Sequence, residues 1–412
     1  MKTSIESRNV QSPIVVLLVV LMGAFLNQSN IIFGVNFSFS DFFAIALLLY
    51  LIFKNKIDIP IFPTIFFIIL SIVVLFTSFF YVPITLHVYA QPVQIISDYI
   101  KLIAIFFFFV LGFNLSKLGM LDILVKYFAL FGVLIGSIGV FFYIFNISLF
   151  ANLLFYADIR YRGLMNDPNY FSILQILALV YFSRVKNINF IFKYVSILIL
   201  ISAVLISGSK TGIIVVSCYS ILRLIEYIFI TRKNLRTVFL TVILLLIFIG
   251  MWSFVINVIQ DLLNLLVNDI PALSRVQTLF IDFNGAISEG GSGRETAWNT
   301  ALELVKLSPF IGIGLANYIL LGIQFFGVGT LAHNTYLQLI VEWGIPLASI
   351  FFIYVFFVIV KAVFSKKEDT IIKILRDILI VLLLGSVAIS LNNARIFWLV
   401  LGGLIFYLNK RK

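Results

Sequence analysis

Two arginines, Arg160 and Arg162, stand at the start of a polar stretch, YRGLMNDPNYF, in an otherwise apolar chain. Paired guanidinium groups suit a phosphate or diphosphate, because each can donate two parallel hydrogen bonds to it. Asp167 and Pro168 are typical of a helix N-cap and first helical residue, and a helix N-terminus attracts anions. The stretch therefore indicates a diphosphate site that Asn169 would support. In the alternative interpretation, Asp167 and Asn169 only cap the helix.

Two further polar clusters each contribute one cation. In ISGSKTG, residues 206–212, Lys210 stands among hydroxyl side chains in a short turn. In SGRETAWNTALELVKLSP, residues 292–309, Ser292 and Glu295 have capping-box spacing, so Arg294 falls in the first turn of a predicted helix. A cation there opposes the helix dipole, whereas an anion would be attracted. Lys210 and Arg294 are therefore candidate anion ligands. The alternatives are a capped Gly/Ser turn and a surface arginine paired with Glu295.

A fourth cluster, LAHNTYLQLIVEWG, covers residues 331–344 and contains a candidate general base. Asn334 is a suitable helix N-cap, and His333 precedes it. A neutral imidazole can accept the proton of an attacking hydroxyl near neutral pH. Glu342 lies deeper in the same predicted helix, where a carboxylate is costly unless it is paired, so we expect it to pair with an outer cation. The alternative for His333 is an ordinary histidine at the membrane interface.

The composition shows which kind of protein must position these clusters. The chain has 62% hydrophobic and 11% charged residues, with 45 Phe among 412 residues, whereas soluble domains are about a quarter charged. Because a backbone in hydrocarbon must satisfy its own hydrogen bonds, each long apolar run should be a helix. We therefore expect an all-α polytopic membrane protein with about 12 transmembrane helices, the first being retained. The predicted spans are 13–31, 38–53, 62–80, 97–113, 122–146, 168–183, 190–207, 211–230, 237–257, 335–361, 374–390 and 395–408.

The loop charges orient these spans. Most Lys and Arg residues fall on one side, which the positive-inside rule makes cytoplasmic, with both termini there. The inner group comprises Lys54, Lys56, Lys117, Lys126, Arg184, Lys186, Arg232, Lys233, Arg236, Lys366, Lys367, Lys373, Lys410, Arg411 and Lys412. About eight of the cations remain outside: Lys101, Arg160, Arg162, Lys210, Arg275, Arg294, Lys306 and Arg395. Topology and contact with anionic membrane lipids account for the net charge of +11 without a nucleic-acid partner.

The spans divide the chain into three parts. Residues 1–257 hold nine spans, residues 258–334 form a long helical extracytoplasmic loop, and residues 335–412 hold three spans and a cytoplasmic tail. The inner loops are too short for a nucleotide-binding domain, which disfavours a nucleotide-activated substrate. The chemistry is therefore expected on the outer face. We find no D-x-D pair and no His/Asp/Glu spacing typical of a metal site, and we expect no metal and no cofactor.

The four clusters together resemble the motifs of the O-antigen polymerase and O-antigen ligase superfamily. YRGLMNDPNYF, SGSKTG, GSGRETAWNTALELVKLSPFIGIGLANY and AHNTYLQLIVEWG match in this order over roughly residues 150 to 350, and FSFSDFFAIALLLYLIFK resembles the family's second helix. The resemblance implies a bacterial inner-membrane glycosyltransferase with a GT-C-like helical fold, metal-independent and inverting, whose donor is a glycan on undecaprenyl diphosphate. It also implies that Arg162 and Arg294 bind the anion and that His333 activates the acceptor. The match centres on Arg162 rather than on Arg160.

Two departures from the family pattern bear on these expectations. Lys210 stands where the family more often has arginine, and an ammonium group cannot make the bidentate contact. After the glycine of H-N-x9-G, ligases commonly have a small or aromatic residue, whereas this chain continues Gly344, Ile345, Pro346, Leu347. The second departure favours a polymerase over a ligase.

The first functional hypothesis is therefore an O-antigen or capsular polysaccharide polymerase. It would transfer a growing glycan from its lipid diphosphate to a newly delivered lipid-linked repeat unit, with a chain-length regulator as a candidate partner. The first alternative is an O-antigen ligase, which uses the same donor and a lipid A-core acceptor. The second is a transporter of the lipid-linked unit, which would bind diphosphate without breaking a bond. Against transport, the two halves show no internal repeat and few charges lie deep in the membrane.

Overall fold

The computed structural model describes residues 12–29, 37–145, 147, 149–157, 159–228, 239, 251–267, 270–282, 285, 293–365 and 369–410. Some features predicted from the sequence lie outside these residues. They are the N-terminal 11 residues, most of the predicted span 237–257, Ser292 of the predicted capping box, and the inner cations Arg232, Lys233, Arg236, Lys366, Lys367, Arg411 and Lys412.

The described part of the chain is almost entirely helical, as the apolar runs predict. The helices are α1 (Pro13–Phe25), α2 (Phe39–Phe53), α3 (Ile61–Phe76), α4 (Val82–Leu86), α5 (Pro92–Lys117), α6 (Leu121–Ile144), α7 (Ala151–Leu154), α8 (Pro168–Arg184), α9 (Phe190–Ile206), α10 (Lys210–Glu226), α11 (Trp252–Leu266), α12 (Leu273–Ile281), α13 (Arg294–Leu307), α14 (Tyr318–Phe326), α15 (Thr335–Val363), α16 (Thr370–Ser386) and α17 (Arg395–Asn409). A π-helical turn, Thr77–Tyr81, joins α3 to α4. The all-α fold class is confirmed.

Four continuous helical segments are long and apolar enough to cross a membrane: Ile61–Leu86, Pro92–Lys117, Leu121–Ile144 and Thr335–Val363. Five described helices are apolar but shorter: Pro13–Phe25, Phe39–Phe53, Phe190–Ile206, Ile256–Leu266 and Arg395–Asn409. The chain is thus an integral membrane protein by its helices. The number of twelve spans stays a prediction.

A continuous core runs through the bundle and is rich in aromatic rings. Trp343 and Phe351 of α15 pack against each other, and Phe351 stacks on Trp398 of α17 with ring centroids 5.1 Å apart. Phe67 of α3 contacts the same tryptophan. These contacts hold the early helix α3 and the late helices α15 and α17 in one body, so residues that are far apart in sequence can form one site.

A buried ion-pair network joins α8, α10 and α16. Arg184 donates to Asp377 at 2.6 Å and also pairs with Glu226, while Arg376 donates to Asp377 at 2.7 Å. Tyr219 donates to the same carboxylate at 3.1 Å. Buried charges are tolerated when each has a partner, so these side chains lock the three helices together. Arg184 therefore has a structural role beyond the loop charge that the sequence indicates.

The segment between α6 and α8 contains a small element that the helical pattern did not predict. Two short strands, β1 (Phe155–Tyr156) and β2 (Arg160–Tyr161), pair antiparallel, with Tyr156 opposite Arg160. The buried Tyr161 donates to the carbonyl of Ile135 on α6 at 2.9 Å. The hairpin thereby fixes the backbone from which Arg160 extends.

Candidate functional site

Arg160 is buried at the meeting point of two of the predicted clusters. Its side chain is only 6% exposed. The Nε donates to the carbonyl of Ser207 at 2.9 Å, and one Nη donates to the amide oxygen of Asn169 at 3.0 Å. The hydroxyl of Ser209 donates to the same oxygen at 3.0 Å. The polar stretch before α8 and the turn before α10 are therefore one hydrogen-bonded unit.

The start of α8 is built as the sequence predicts. Asp167 is the N-cap, and its carboxylate accepts the backbone N–H groups of Asn169 and Tyr170. Pro168 is the first helical residue. The carboxylate of Asp167 also interacts with the cations. Its negative charge raises the pKa values of Arg160 and Arg294 and so opposes the lowering that burial causes.

Arg294 brings the third cluster to the same place. It is the first residue of α13, and its guanidinium donates to the hydroxyl of Thr211, 3.3 Å away, in the turn before α10. The alternative pairing with Glu295 is not among the ion pairs of the described residues. Three motifs that are separated by up to about 130 residues in the chain thus contact one another through Arg160, Ser209 and Arg294.

A third arginine, Arg275, lies near these cations. The pKa of Arg160 is lowered to about 10, first by burial and then by the positive charge of Arg275. Burial also lowers the pKa of Arg294, and Arg275 lowers it further against the opposing charge of Asp167. The pKa of Lys210, just before the predicted span 211–230, is lowered by burial and by Arg275 and Arg294. We call Arg160, Lys210, Arg275 and Arg294 the cation cluster.

The cation cluster contains one residue that the sequence motifs missed. Arg275 belongs to α12, between the second and third motifs, and it was singled out only as one of the outer cations. Its place among those few cations was the available signal, because positive charge on the outer side has no topological purpose. Four positive charges held close together in partly buried surroundings repel one another, and an anion would relieve that repulsion.

Arg162 has different neighbours from Arg160. Its two Nη groups donate to the carbonyls of Asn166 at 3.2 Å and Asn152 at 2.8 Å. In the part of the chain that the structure describes, its buried Nε has no hydrogen-bond partner. The fork of Arg162 thus braces the loop that carries Arg160. Its predicted role in diphosphate binding stays a prediction.

Replacing Arg162 by lysine is expected to lower donor turnover by about tenfold, although the charge is kept. A single ammonium group cannot bridge two carbonyls and also present a third donor in a fixed direction. The measurement is turnover in a reconstituted assay, with thermal stability followed in parallel. Full activity of the variant would leave Arg162 with a loop-bracing role at most.

The start of α13 differs from its predicted form. Gly293, with a φ of +58°, precedes the helix, and no side chain caps it among the described residues. Its buried face consists of Ala297, Thr300, Ala301 and Leu304, whereas Leu302 is 50% exposed. Trp298 lies partly buried against a cluster that includes Ala332. α13 therefore links Arg294 to the segment that carries His333.

His333 lies at the N-terminal end of α15, directly before the N-cap Asn334, as the fourth cluster predicts. Its side chain is exposed and its φ is +48°. Asn334 is the N-cap of α15 and accepts the backbone N–H groups of Tyr336 at 3.0 Å and Leu337 at 3.1 Å. Thr335 fixes this end of the helix by donating to the carbonyl of Ile389 at 2.8 Å. The imidazole is thus held at a fixed helix start and is accessible, while its role as a base stays a prediction.

Glu342 does not pair with a cation, which corrects the expectation from the sequence. Its Oε1 accepts a hydrogen bond from Gln338 at 2.8 Å, and none of the ion pairs among the described residues involves it. The outer cation Lys101 instead donates to Asp98 at 2.7 Å. An amide one helical turn away therefore satisfies one carboxylate oxygen of Glu342, where a lysine or arginine was expected.

A backbone junction joins the third and fourth motifs at Glu342. The N–H groups of Ile313 and Gly314 donate to the carbonyls of Val341 and Glu342 at 2.9 and 3.0 Å. Gly344 interrupts α15 with a φ of +79°, and a Cβ there would lie 2.3 Å from the carbonyl oxygen of Phe310. Only glycine fits this crossing, because both the backbone conformation and the space exclude a side chain.

The site offers cationic and imidazole groups to a ligand. Among the described residues, no group of three or more His, Cys, Asp or Glu side chains is placed to hold a metal ion. The arrangement can bind an anion at the cation cluster and accept a proton at His333.

A family model matches part of the chain. Residues 195–352 match the family model described as O-antigen ligase. The matched segment contains Lys210, Arg275, Arg294, His333 and Glu342 but begins after Arg160, Arg162 and Asp167. No curated protein matches the chain. The family match supports an O-antigen ligase or polymerase type of function and does not distinguish the two. It confirms the resemblance of this chain to the O-antigen polymerase and ligase superfamily.

Proposed function

We propose that the chain is a surface-polysaccharide polymerase, a membrane glycosyltransferase whose donor is a glycan on undecaprenyl diphosphate. The acceptor is a second, newly delivered lipid-linked repeat unit, and the reaction takes place at the outer face of the bacterial inner membrane. Both termini are cytoplasmic in this proposal, and the mechanism needs no metal ion.

The observation that carries the proposal is the cation cluster. Arg160, Lys210, Arg275 and Arg294 come from four separate segments, and the hydrogen bonds of Asn169, Ser207 and Thr211 hold two of them in place. When a lipid diphosphate leaves a sugar, negative charge builds up on its bridging oxygen. Positive groups that are already in position stabilise that charge in the transition state without further reorganisation.

His333 supplies the other half of the chemistry. A hydroxyl of the acceptor sugar attacks the anomeric carbon of the donor, so a new C–O bond forms while the bond from that carbon to the diphosphate oxygen breaks. The hydroxyl proton passes to the neutral imidazole of His333. The lipid diphosphate leaves with the bonding electron pair toward the cation cluster. One displacement of this kind inverts the configuration at the anomeric carbon.

An O-antigen ligase is the second candidate function, because the family match supports either enzyme. A ligase uses the same donor and the same two groups of residues but delivers the glycan to lipid A-core. The sequence Gly344, Ile345, Pro346, Leu347 supports the polymerase instead, since it departs from the pattern that ligases commonly have. A transporter would need the cation cluster but would have no use for His333.

Deletion of the gene distinguishes these functions. We expect the long polysaccharide ladder to disappear while single repeat units remain attached to the cell surface. Gel analysis of the surface polysaccharide and of the lipid-linked pool measures both.

Two other outcomes of the deletion would contradict the polymerase. Loss of all attached glycan, with long polymer still present on the lipid carrier, would mean a ligase. Accumulation of single lipid-linked units on the cytoplasmic leaflet alone would mean a transporter.

A further inference from the structure

A polar cavity of about 450 Å³ lies along the outer half of α15, apart from the cation cluster. This volume is within the range of about 300–1,000 Å³ that is usual for small-molecule sites. Its polar lining includes Asp98, Lys101, Gln338, Glu342, Asn392 and Asn393. Polar groups are expensive at this depth unless a ligand or a partner satisfies them, so the cavity requires an explanation.

Gln338 shows that the cavity is built for a polar ligand. Its side chain is 5% exposed, and its Nε2 donates to Glu342. Its buried Oε1 has no hydrogen-bond partner among the described residues. An unsatisfied buried acceptor destabilises the protein in the absence of a ligand. A bound hydroxyl group would remove that destabilisation.

The chemistry of the lining matches a carbohydrate. Gln338, Asn392 and Asn393 each carry both a donor and an acceptor, and Glu342 accepts only. Sugar hydroxyls likewise donate and accept. The charged groups of the lining are Asp98, Glu342 and Lys101, so the cavity itself is not positive overall. The sugar part of a ligand, with its many hydroxyl groups, fits this lining best.

The cavity extends to the segment that carries His333. Leu331, two residues before His333, is part of its wall. Asn334, Gln338 and Glu342 are spaced by four residues, which places them on one face of α15. A sugar that bonds to Gln338 therefore lies about one helical turn from the start of the helix, next to the proposed base.

An apolar groove of about 210 Å³ adjoins the cavity. Lys101, Ile105 and Asn393 line both spaces. The groove is otherwise lined by side chains such as Ile45, Leu48 and Phe108, with Arg395 and Asp41 paired at its edge. A polar cavity that continues into an apolar groove, with Lys101 at their junction, matches an amphiphile with a sugar, a phosphate and a lipid chain.

We propose that this cavity is the acceptor site and binds the sugar of a lipid-linked repeat unit, whose lipid chain lies in the adjoining groove. The inference rests on the proposed function and specifies its second substrate. Gln338 and Glu342 hold the acceptor sugar through its hydroxyls and present one of them to His333. The donor occupies the cation cluster, so the two substrates bind to different residues of the chain.

The test uses the full-length protein in detergent and lipid, with labelled lipid-linked polymer as donor and the single lipid-linked repeat unit as acceptor. Gln338→Leu is expected to raise the acceptor concentration that gives half-maximal rate by about tenfold, with donor binding unchanged. Gln175→Leu is the matched control, because Gln175 is also a buried glutamine with unpartnered side-chain atoms but does not line the cavity. Glu342→Gln is a second variant, with the same expected direction.

A binding measurement makes the outcome independent of turnover. Calorimetry with the repeat-unit oligosaccharide, freed from its lipid, is expected to show weaker binding to the Gln338→Leu and Glu342→Gln variants than to the Gln175→Leu variant. If the native protein is active and neither cavity variant changes the dependence of the rate on acceptor concentration, the cavity is not the acceptor site, whereas the proposed polymerase function is retained. If the oligosaccharide binds in the cavity but no turnover occurs, the polymerase is wrong and the site stands. Absence of both binding and turnover contradicts both.

Discussion

Replacing His333 by alanine is expected to reduce turnover by about 10²–10⁴-fold, which is the usual contribution of a general base, while donor binding is retained. The imidazole is exposed at a capped helix start, and the cation cluster does not depend on it for any hydrogen bond that the structure describes. The measurement is turnover in a reconstituted assay together with binding of labelled lipid-linked donor to the same preparation.

His87 provides a matched control for this experiment. It is the only other histidine, it is also exposed, and its φ of +54° resembles the +48° of His333. Alanine at either position places a residue in the same unfavourable left-handed conformation, so both variants have similar backbone strain. We expect His87→Ala to keep normal turnover. Normal turnover in His333→Ala, or an equal loss in both variants, would remove His333 as the base.

The bundle could be predicted from the sequence because its signals are local. Apolar runs, Asp167 before Pro168, and Asn334 before α15 fix helix type and helix starts within a few residues. The hairpin that holds Arg160 had no such signal, since two-residue strands are too short for a hydrophobic alternation to be visible.

The site could be predicted only in part, because its geometry depends on contacts between residues that are far apart in the sequence. The motifs identified Arg160, Lys210, Arg294 and His333, and the structure brings the first three together. The sequence could not show that Arg275 lies beside them, since it belongs to no motif and reaches them through the packing of α12. Nor could it show that Gln338, rather than a cation, is the partner of Glu342. Helical spacing places Gln338 and Glu342 on one face of α15, but it does not show which residues of other helices lie across the cavity from them.

Replacing Arg294 by glutamine is expected to weaken donor binding by about 10- to 100-fold. Among the described residues its guanidinium makes one long hydrogen bond, 3.3 Å to Thr211, so within that part of the chain most of its hydrogen-bonding capacity remains for a ligand. A charge-assisted contact to a diphosphate is worth about 1.5–3 kcal/mol. Binding of labelled lipid-linked donor to the purified protein measures the change. An unchanged affinity would show that Arg294 serves only to hold the start of α13 against the turn before α10.

The thermal stability of the donor-free protein distinguishes an anion-binding role of the cation cluster from a role in holding the fold together. Arg275 is the residue at which these two roles predict the most different results. Its exposed side chain makes no hydrogen bond or ion pair among the described residues. Its positive charge disfavours the charged forms of Arg160, Lys210 and Arg294 and so lowers their pKa values. In the Arg275→Gln variant the donor-free protein should therefore be as stable as the native protein or slightly more stable, whereas donor binding should weaken. The two effects have opposite signs because the same charge repels its neighbours and attracts the diphosphate. Salt screens both, so raising the ionic strength should bring variant and native protein closer together. A loss of stability in the donor-free variant, with donor binding intact, would show that these cations are held together for the fold and not for the substrate.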